Sequence, residues 1–316
     1  MKNSKMSVRL AARIFIIIGV AILSYAGDWI QIGGPASGIY VGEKGLYATC
    51  PQTGDLMRYE GTPFKWSRAG GPGAGWAANR DNLYGIARDY ESIFHYIADD
   101  QPWKPIGSPY KKLIAGGKEL FAIHKDTNQI CRYKENAPNW PNVGVADEAD
   151  CFAVNDIALY RLVVSKNDIQ QYTLVGDPSL VGKWMSIGKP ENRTARWLIA
   201  GGKELYATVG EGDIFRYTGS PGTWKPAGGP GHTFAINEIG LYGLSPDQKS
   251  VWQYTGKGME WIMIATPPSG QNIIPFIWAR GKDLYASKPG ESEFGIGAIY
   301  QYVGELKDLK MIEMKK

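Results

Sequence analysis

Short apolar runs recur along this chain ahead of a repeated Leu-Tyr step. Seven positions before each Leu stand Ile39, Trp76, Leu113, Phe152, Leu198, Phe234 and Ile277, and the runs end at Val41, Ala78, Ala115, Val154, Ala200, Ile236 and Ala279. Runs this short, apolar on both faces, predict strands covered on both sides. The steps Leu46-Tyr47, Leu83-Tyr84, Leu120-Phe121, Leu159-Tyr160, Leu205-Tyr206, Leu241-Tyr242 and Leu284-Tyr285 belong to a second strand. A third ends in Arg58-Tyr59, His95-Tyr96, Arg132-Tyr133, Gln171-Tyr172, Arg216-Tyr217, Gln253-Tyr254 and Gln301-Tyr302. Ile, Val or Leu stands two residues before each polar member, so polar and apolar positions alternate with the period of two that a strand requires.

A tryptophan step completes each unit. Trp29, Trp66, Trp103, Trp140, Trp184, Trp224 and Trp261 are separated by 37, 37, 37, 44, 40 and 37 residues and mostly open Trp-x-x-Ile-Gly or Trp-x-x-Ala-Gly segments. Seven units of four short strands predict an all-β fold, a seven-bladed β-propeller of four-stranded antiparallel blades. Each Trp removes a large apolar area from water, so blade-to-blade packing is the expected role of the column, ahead of a row of ligand platforms. Leu309-Lys310-Met311-Ile312 stands where a further Trp-x-x-Ile belongs. A closing strand over 309–314 and the first Trp strand therefore compete for one place in the ring.

The turn between the first two strands begins with Gly42, Gly116 and Gly201 in units one, three and five, and with Asn79, Asn155 and Asn237 in units two, four and six. Gly and Asn both tolerate a positive φ, so a tight hairpin is expected there. The alternation suggests growth by copying a two-blade segment. Arg161 in unit four and Arg280 in unit seven break the pattern.

Residues 1–26 stand apart. Lys2, Lys5, Arg9 and Arg13 precede an apolar run from Ile14 to Leu23, and Ser24-Tyr25-Ala26 supplies small residues at a cleavage position. This reads as a secretory signal peptide, leaving 27–316 as a single propeller domain, secreted or periplasmic. Ten apolar residues are too few for a stable membrane span, so none is expected after signal removal. The four basic residues of the leader account for the whole net charge of +4, leaving 31 basic and 31 acidic residues. A neutral domain has no general attraction to phosphate backbones, which excludes nucleic acid as an expected partner. Cys50, Cys131 and Cys151 occupy non-equivalent positions and form no disulfide framework, though Cys131 with Cys151 is one conceivable pair.

The repeats, as in Trp29 to Tyr59 and Trp184 to Tyr217, resemble those of the tectonin and tachylectin-like β-propellers: a Trp-x-x-Ile-Gly step, a Gly or Lys-Glu turn, Leu-Tyr-Ala and Asp-Ile-x-Arg-Tyr. The similarity covers about residues 29 to 312, although Leu-Tyr-Ala replaces the Val-Trp-Gly-Val second strand usual in tectonin repeats. The resemblance implies a secreted or surface-acting lectin that binds sugars or microbial glycans. No sugar-binding triad of the family is matched.

Function is expected where the repeat is broken, in the fourth, fifth and seventh units. Trp197, with Arg193 and Arg196 from the inserted segment 191–196, is the aromatic candidate, because its column otherwise holds Gly38, Gly75, Lys112, Cys151, Thr233 and Phe276. Packing beneath the insertion is its competing role. Asp147, Glu148 and Asp150 replace a Gly-Gly-Pro turn, and clustered carboxylates can hold a sugar or Ca²⁺, though the Asp-x-Asp-x-Asp-Gly spacing is missing. His95, His124 and His232 lie at non-equivalent positions, and Ala48 to Gly54 reads as a turn. No catalytic, metal or cofactor signature is present. The expected function is an exported, non-enzymatic recogniser of glycans or cell-surface sugars. A protein-binding scaffold of the cell envelope, partnering another envelope protein, is the alternative, followed by a propeller lyase or glycosidase.

Overall fold

The computed structural model describes residues 29–304 and 306, apart from 43, 99–100, 102, 108, 136–138, 177 and 291–294. The leader over 1–26 and the segment 309–314 lie outside the described residues. Seven four-stranded antiparallel sheets form the fold, as the repeat predicts, with no α-helix among the described residues. The apolar runs are the innermost strands: Gly38–Gly42, Gly75–Ala78, Tyr110–Gly116, Cys151–Val154, Ala195–Gly201, Thr233–Ile236 and Ile277–Arg280. Each touches the inner strand of the blades on either side, so the seven surround a central channel. Blades are numbered here from the one opening at Gly38.

The Trp strand is the outermost of each blade, and chain order is broken once. Trp29–Gly33 pairs with Ile296–Tyr302, in register Trp29 to Tyr302, and so fills the last place of blade 7. That blade is built from both ends of the propeller sequence, which gives Ile296–Tyr302 a strand partner on its outer side and closes the ring.

Packing between blades repeats one device. The indole N–H of each outer-strand Trp donates to a carbonyl on the outer strand of the preceding blade: Trp66 to Ile32 at 2.8 Å, Trp103 to Ala69 at 2.9 Å, Trp140 to Ile106 at 2.9 Å and Trp261 to Ala227 at 2.7 Å. Trp184 to Val143 and Trp224 to Ile187 do the same. At the ring closure Trp29 reaches Thr266 instead, and Tyr302 donates its hydroxyl to Ile264 in the vacated position. The motif glycine is explained here, since a Cβ on Gly33 would lie 2.5 Å from Nε1 of Trp66 and one on Gly228 2.6 Å from Nε1 of Trp261. Each Trp also meets the Tyr ending the neighbouring strand, with centroids 5.0 to 5.4 Å apart in all seven blades. The Trp column is thus a packing column.

The turn column corrects one expectation. Asn79, Asn155 and Asn237 are not in the positive-φ region. Their side-chain oxygens instead accept two backbone N–H groups of the turn, those of Asp81 and Asn82, Ile157 and Ala158, and Ile239 and Gly240. Their amide nitrogens donate to Glu119, Glu204 and Asp283 carbonyls of the next blade, at 3.1 to 3.2 Å. Asn is needed as a two-sided staple, a use of its local hydrogen bonding rather than of its backbone freedom. The glycines of the odd blades serve close approach: a Cβ on Gly116 would lie 2.3 Å from the Val154 carbonyl oxygen and one on Gly201 2.8 Å from Ile236. Deep burial of the second-strand tyrosines pushes the phenols of Tyr84 and Tyr160 up to about 12, so they pack as neutral groups.

Candidate functional site

Two kinds of concavity lie on the propeller face where each outer strand hands over to the next inner strand. The first is a crevice repeated in blades 1, 2 and 6, with volumes of about 180, 290 and 390 Å³. Its parts are equivalent in the three blades. Gly34-Pro35, Gly71-Pro72 and Gly229-Pro230 border it, the outer-strand indoles of Trp66, Trp103 and Trp261 form one wall, and Ala48, Gly85 and Gly243 keep it open. Met57, Phe94 and Trp252 contribute a further apolar or aromatic surface. Polar groups differ between copies: Thr49 and Cys50, Arg88, and Ser245, Asp247 and Ser250.

The departures from the repeat occupy this place in the other blades. Tyr110 stacks on Trp140 with centroids 4.9 Å apart in blade 3. In blade 4 Arg161 stands where the open crevices have Ala or Gly, and its guanidinium lies 4.7 Å from the Trp184 ring. Arg193 lies 5.8 Å from Phe215 in blade 5 and pairs with Asp213 at 2.7 Å. In blade 7 Gln271 donates to the Tyr300 hydroxyl at 2.6 Å.

The second concavity is single and larger, about 600 Å³, at the channel end where the inner strands of blades 5, 6 and 7 begin. Trp197, Leu198, Phe234 and Phe276 supply apolar surface, and Arg196, Thr208, Glu211, His232 and Thr233 supply polar groups. Trp197 is 65 % and Phe276 40 % exposed, so Trp197 does not pack beneath the inserted segment. The insertion turns away through a short 3-10 turn, Pro190–Asn192, and returns as the strand Ala195–Gly201. Glu191 there adopts φ 45°, a conformation uncommon outside glycine.

Of the residues singled out in sequence, Trp197 and Arg196 share this cavity, while Arg193 is engaged within blade 5. Asp147, Glu148 and Asp150 lie on the loop joining blades 3 and 4, and do not line it. Asp150 is buried, accepts the Asp147 N–H at 3.0 Å and lies 3.9 Å from Arg161; the exposed Glu148 stands 4.0 Å from Lys111. His95 contacts Asn82 at 2.8 Å, His124 accepts N–H groups of its own turn, and His232 lines the larger cavity. All three cysteines are free thiols, and no group of three metal-ligating side chains converges among the described residues. No helix among the described residues is long and apolar enough to cross a membrane.

Sequence reasoning named His232 and Phe276 without assigning either to a binding site, and it did not name Glu211 or Thr208, whose own spacing carries no mark. It also missed that three regular units, not the irregular ones, keep the crevice open. The signal was present in the shared Gly-Gly-Pro step of 33–35, 70–72 and 228–230.

No known protein family and no curated protein matches this sequence. Solved structures match its fold. The CRINKLY WD40 ectodomain of the Arabidopsis thaliana receptor kinase ACR4 is similar at 13 % identity and a TM-score of 0.56, over 86 % of this chain and 96 % of that one. YCF48 from Cyanidioschyzon merolae, also solved bound to D1 peptide, is similar at 11 % identity and a TM-score of 0.53, over 88 % of this chain and 98 % of that one. PorZ, a surface component of the type-IX secretion system of Porphyromonas gingivalis, is similar at 11 % identity and a TM-score of 0.54, over 86 % of this chain but 37 % of that one. At such identities the likeness carries the architecture alone: the chain is a seven-bladed β-propeller.

Proposed function

We propose that this chain is an exported, non-enzymatic carbohydrate-recognition propeller that engages glycans through its repeated crevices. The observation that carries the reading is the threefold recurrence of one crevice, with one indole wall and one glycine-proline border, in blades 1, 2 and 6. A single shallow sugar site commonly gives only millimolar affinity, about −4 kcal/mol. Several equivalent sites on one rigid face raise avidity by ~10² to 10⁴ without any new contact. The tectonin-like repeat and the leader over 1–26 point the same way, toward a lectin working outside the cytoplasm.

The protein offers its own means of closing a crevice, the Arg161 plug of blade 4. Ala48→Arg and Gly243→Arg place the same group at the equivalent positions of blades 1 and 6. The expected result on a glycan array is a stepwise loss of avidity as one and then two crevices are filled. A folded, multimerised wild-type protein that binds no glycan above background would overturn the reading.

A protein-binding envelope scaffold is the second reading, and one surface favours it. Val175, Leu180 and Val181 on the loop between the last two strands of blade 4 are 54, 38 and 39 % exposed. Clustered exposed aliphatics mark interaction surfaces. Proximity labelling at this loop that recovers one envelope protein, in a preparation blind to glycans, would favour it.

A further inference from the structure

We infer that the cavity at the channel end of blades 5, 6 and 7 is a further site, adjoining the blade 6 crevice through Gly231, Phe234 and Pro246 and built to take the end of a neutral oligosaccharide. The inference rests on the carbohydrate reading above and adds a place and a ligand class to it.

Three observations carry it. Trp197 and Phe276 offer two exposed aromatic surfaces in one cavity, on the blades that flank blade 6. Pyranose rings present an apolar C–H face that packs on such surfaces, and their hydroxyls then need donors and acceptors at the rim. The cavity supplies both kinds: Arg196 donates only, Glu211 accepts only, and Thr208, Thr233 and His232 can do either. Arg196 and Glu211 have no ion-pair partner among the described residues. The lining thus carries one permanent positive and one negative group, and no net charge from this pair.

The third observation is an unpartnered group. Thr208 is 5 % exposed, lines the cavity, and its hydroxyl has no hydrogen-bond partner. Thr208 stands directly opposite Trp197 in the strand register, so the two side chains share one face of the sheet. Blade 7 repeats the couple: the Ser287 N–H donates to the Phe276 carbonyl, and the Ser287 hydroxyl is likewise buried and unpaired. A buried hydroxyl without a partner is costly. A ligand hydroxyl resting against Trp197 would supply the missing bond. The volume of about 600 Å³ lies within the range of small-molecule sites and leaves room for more than one sugar ring.

The test uses the secreted full-length domain and a panel of neutral sugars: lactose, cellobiose, maltotriose and N,N′-diacetylchitobiose. Binding is followed by calorimetry and tryptophan fluorescence. At least one sugar is expected to bind at one site per chain, and Trp197→Ala to weaken it tenfold or more, about 1.4 kcal/mol. Thr208→Val, which keeps the shape and removes the hydroxyl, is expected to weaken it about fivefold with no loss of thermal stability. Trp197→Phe, retaining an aromatic surface, should recover most of the affinity. Ala48→Arg, in the blade 1 crevice that shares no residue with this cavity, should leave this site unchanged.

Wild-type affinity retained in both Trp197→Ala and Thr208→Val overturns the inference and leaves the crevice lectin standing. Binding lost only in Ala48→Arg does the same. A wild-type protein that binds no sugar in any format overturns both, and capture of a peptide through Trp197 with no sugar binding overturns the ligand class.

Discussion

The indole N–H of Trp66 donates to the Ile32 carbonyl at 2.8 Å, joining the outer strand of blade 1 to the outer strand of blade 7. Because Ile32 belongs to the strand that closes the ring, this bond couples ring closure to the first blade-to-blade interface. Trp66→Phe should cost about 1 to 3 kcal/mol, the penalty of leaving a part-buried carbonyl unpaired, and Trp66→Ala about 3 to 5 kcal/mol. Urea unfolding followed by circular dichroism separates the two. No loss in Trp66→Phe would mean that the hydrogen bond contributes nothing, and equal losses in the two variants would mean that the ring packing contributes nothing.

Gly33, Gly70, Gly107, Gly144 and Gly228, four residues after their Trp, lie against the next indole. Gly33→Ala forces a methyl to within 2.5 Å of Nε1 of Trp66, whereas Gly229→Ala, on a neighbouring loop position, meets nothing within 4 Å. The first is expected to destabilise by about 1 to 3 kcal/mol and the second to change stability by under about 0.5 kcal/mol. Thermal melts of the two variants side by side check this.

Asn155 separates two explanations of the turn column. Its side chain is buried, accepts the Ile157 and Ala158 N–H groups and donates to the Glu204 carbonyl. If a positive φ were the requirement, Asn155→Gly would be neutral. With the hydrogen bonds in control, Asn155→Gly and Asn155→Ala should both lose about 2 to 4 kcal/mol, a full staple rather than one bond. Chemical denaturation of both variants decides between them.

His95 provides a pH signature. Burial lowers its pKa below the ordinary histidine value, with Lys44 and Lys104 acting in the same direction. The unfolded chain then binds more protons than the folded one as pH falls below the ordinary histidine range. The stability contributed by neutral His95 is therefore present above that range and lost as pH falls through the folded pKa. Melting temperature should drop between pH 7.5 and 5, and the drop should shrink in His95→Gln, which carries the residue found at Gln171, Gln253 and Gln301 of the same column. An identical pH profile in the variant would rule His95 out as the source.

The architecture was legible in sequence because a propeller repeats its local physics. Every blade must bury the same inner strand and set its Trp against the Tyr of the neighbouring strand, so one pattern appears seven times and any copy can be checked against six others. The Asn turn was located correctly but for another reason: its bonds to Glu119, Glu204 and Asp283 cross between blades, and no local pattern reports a partner 40 to 49 residues away.

By itself the sequence determined the seven units, their four strands and the packing role of the tryptophans, since strand period and Trp spacing are local and repeated. Tertiary structure alone decided that Trp29–Gly33 fills blade 7, because the choice depends on which end pairs with Ile296–Tyr302. It also decided which crevices are open. Arg161, Arg193 and Tyr110 look like departures along the chain, and become plugs only when the fold lays each beside an aromatic ring. Trp197, Phe276 and Thr208 come from two blades on either side of a third, and only closure of the ring sets them around one cavity.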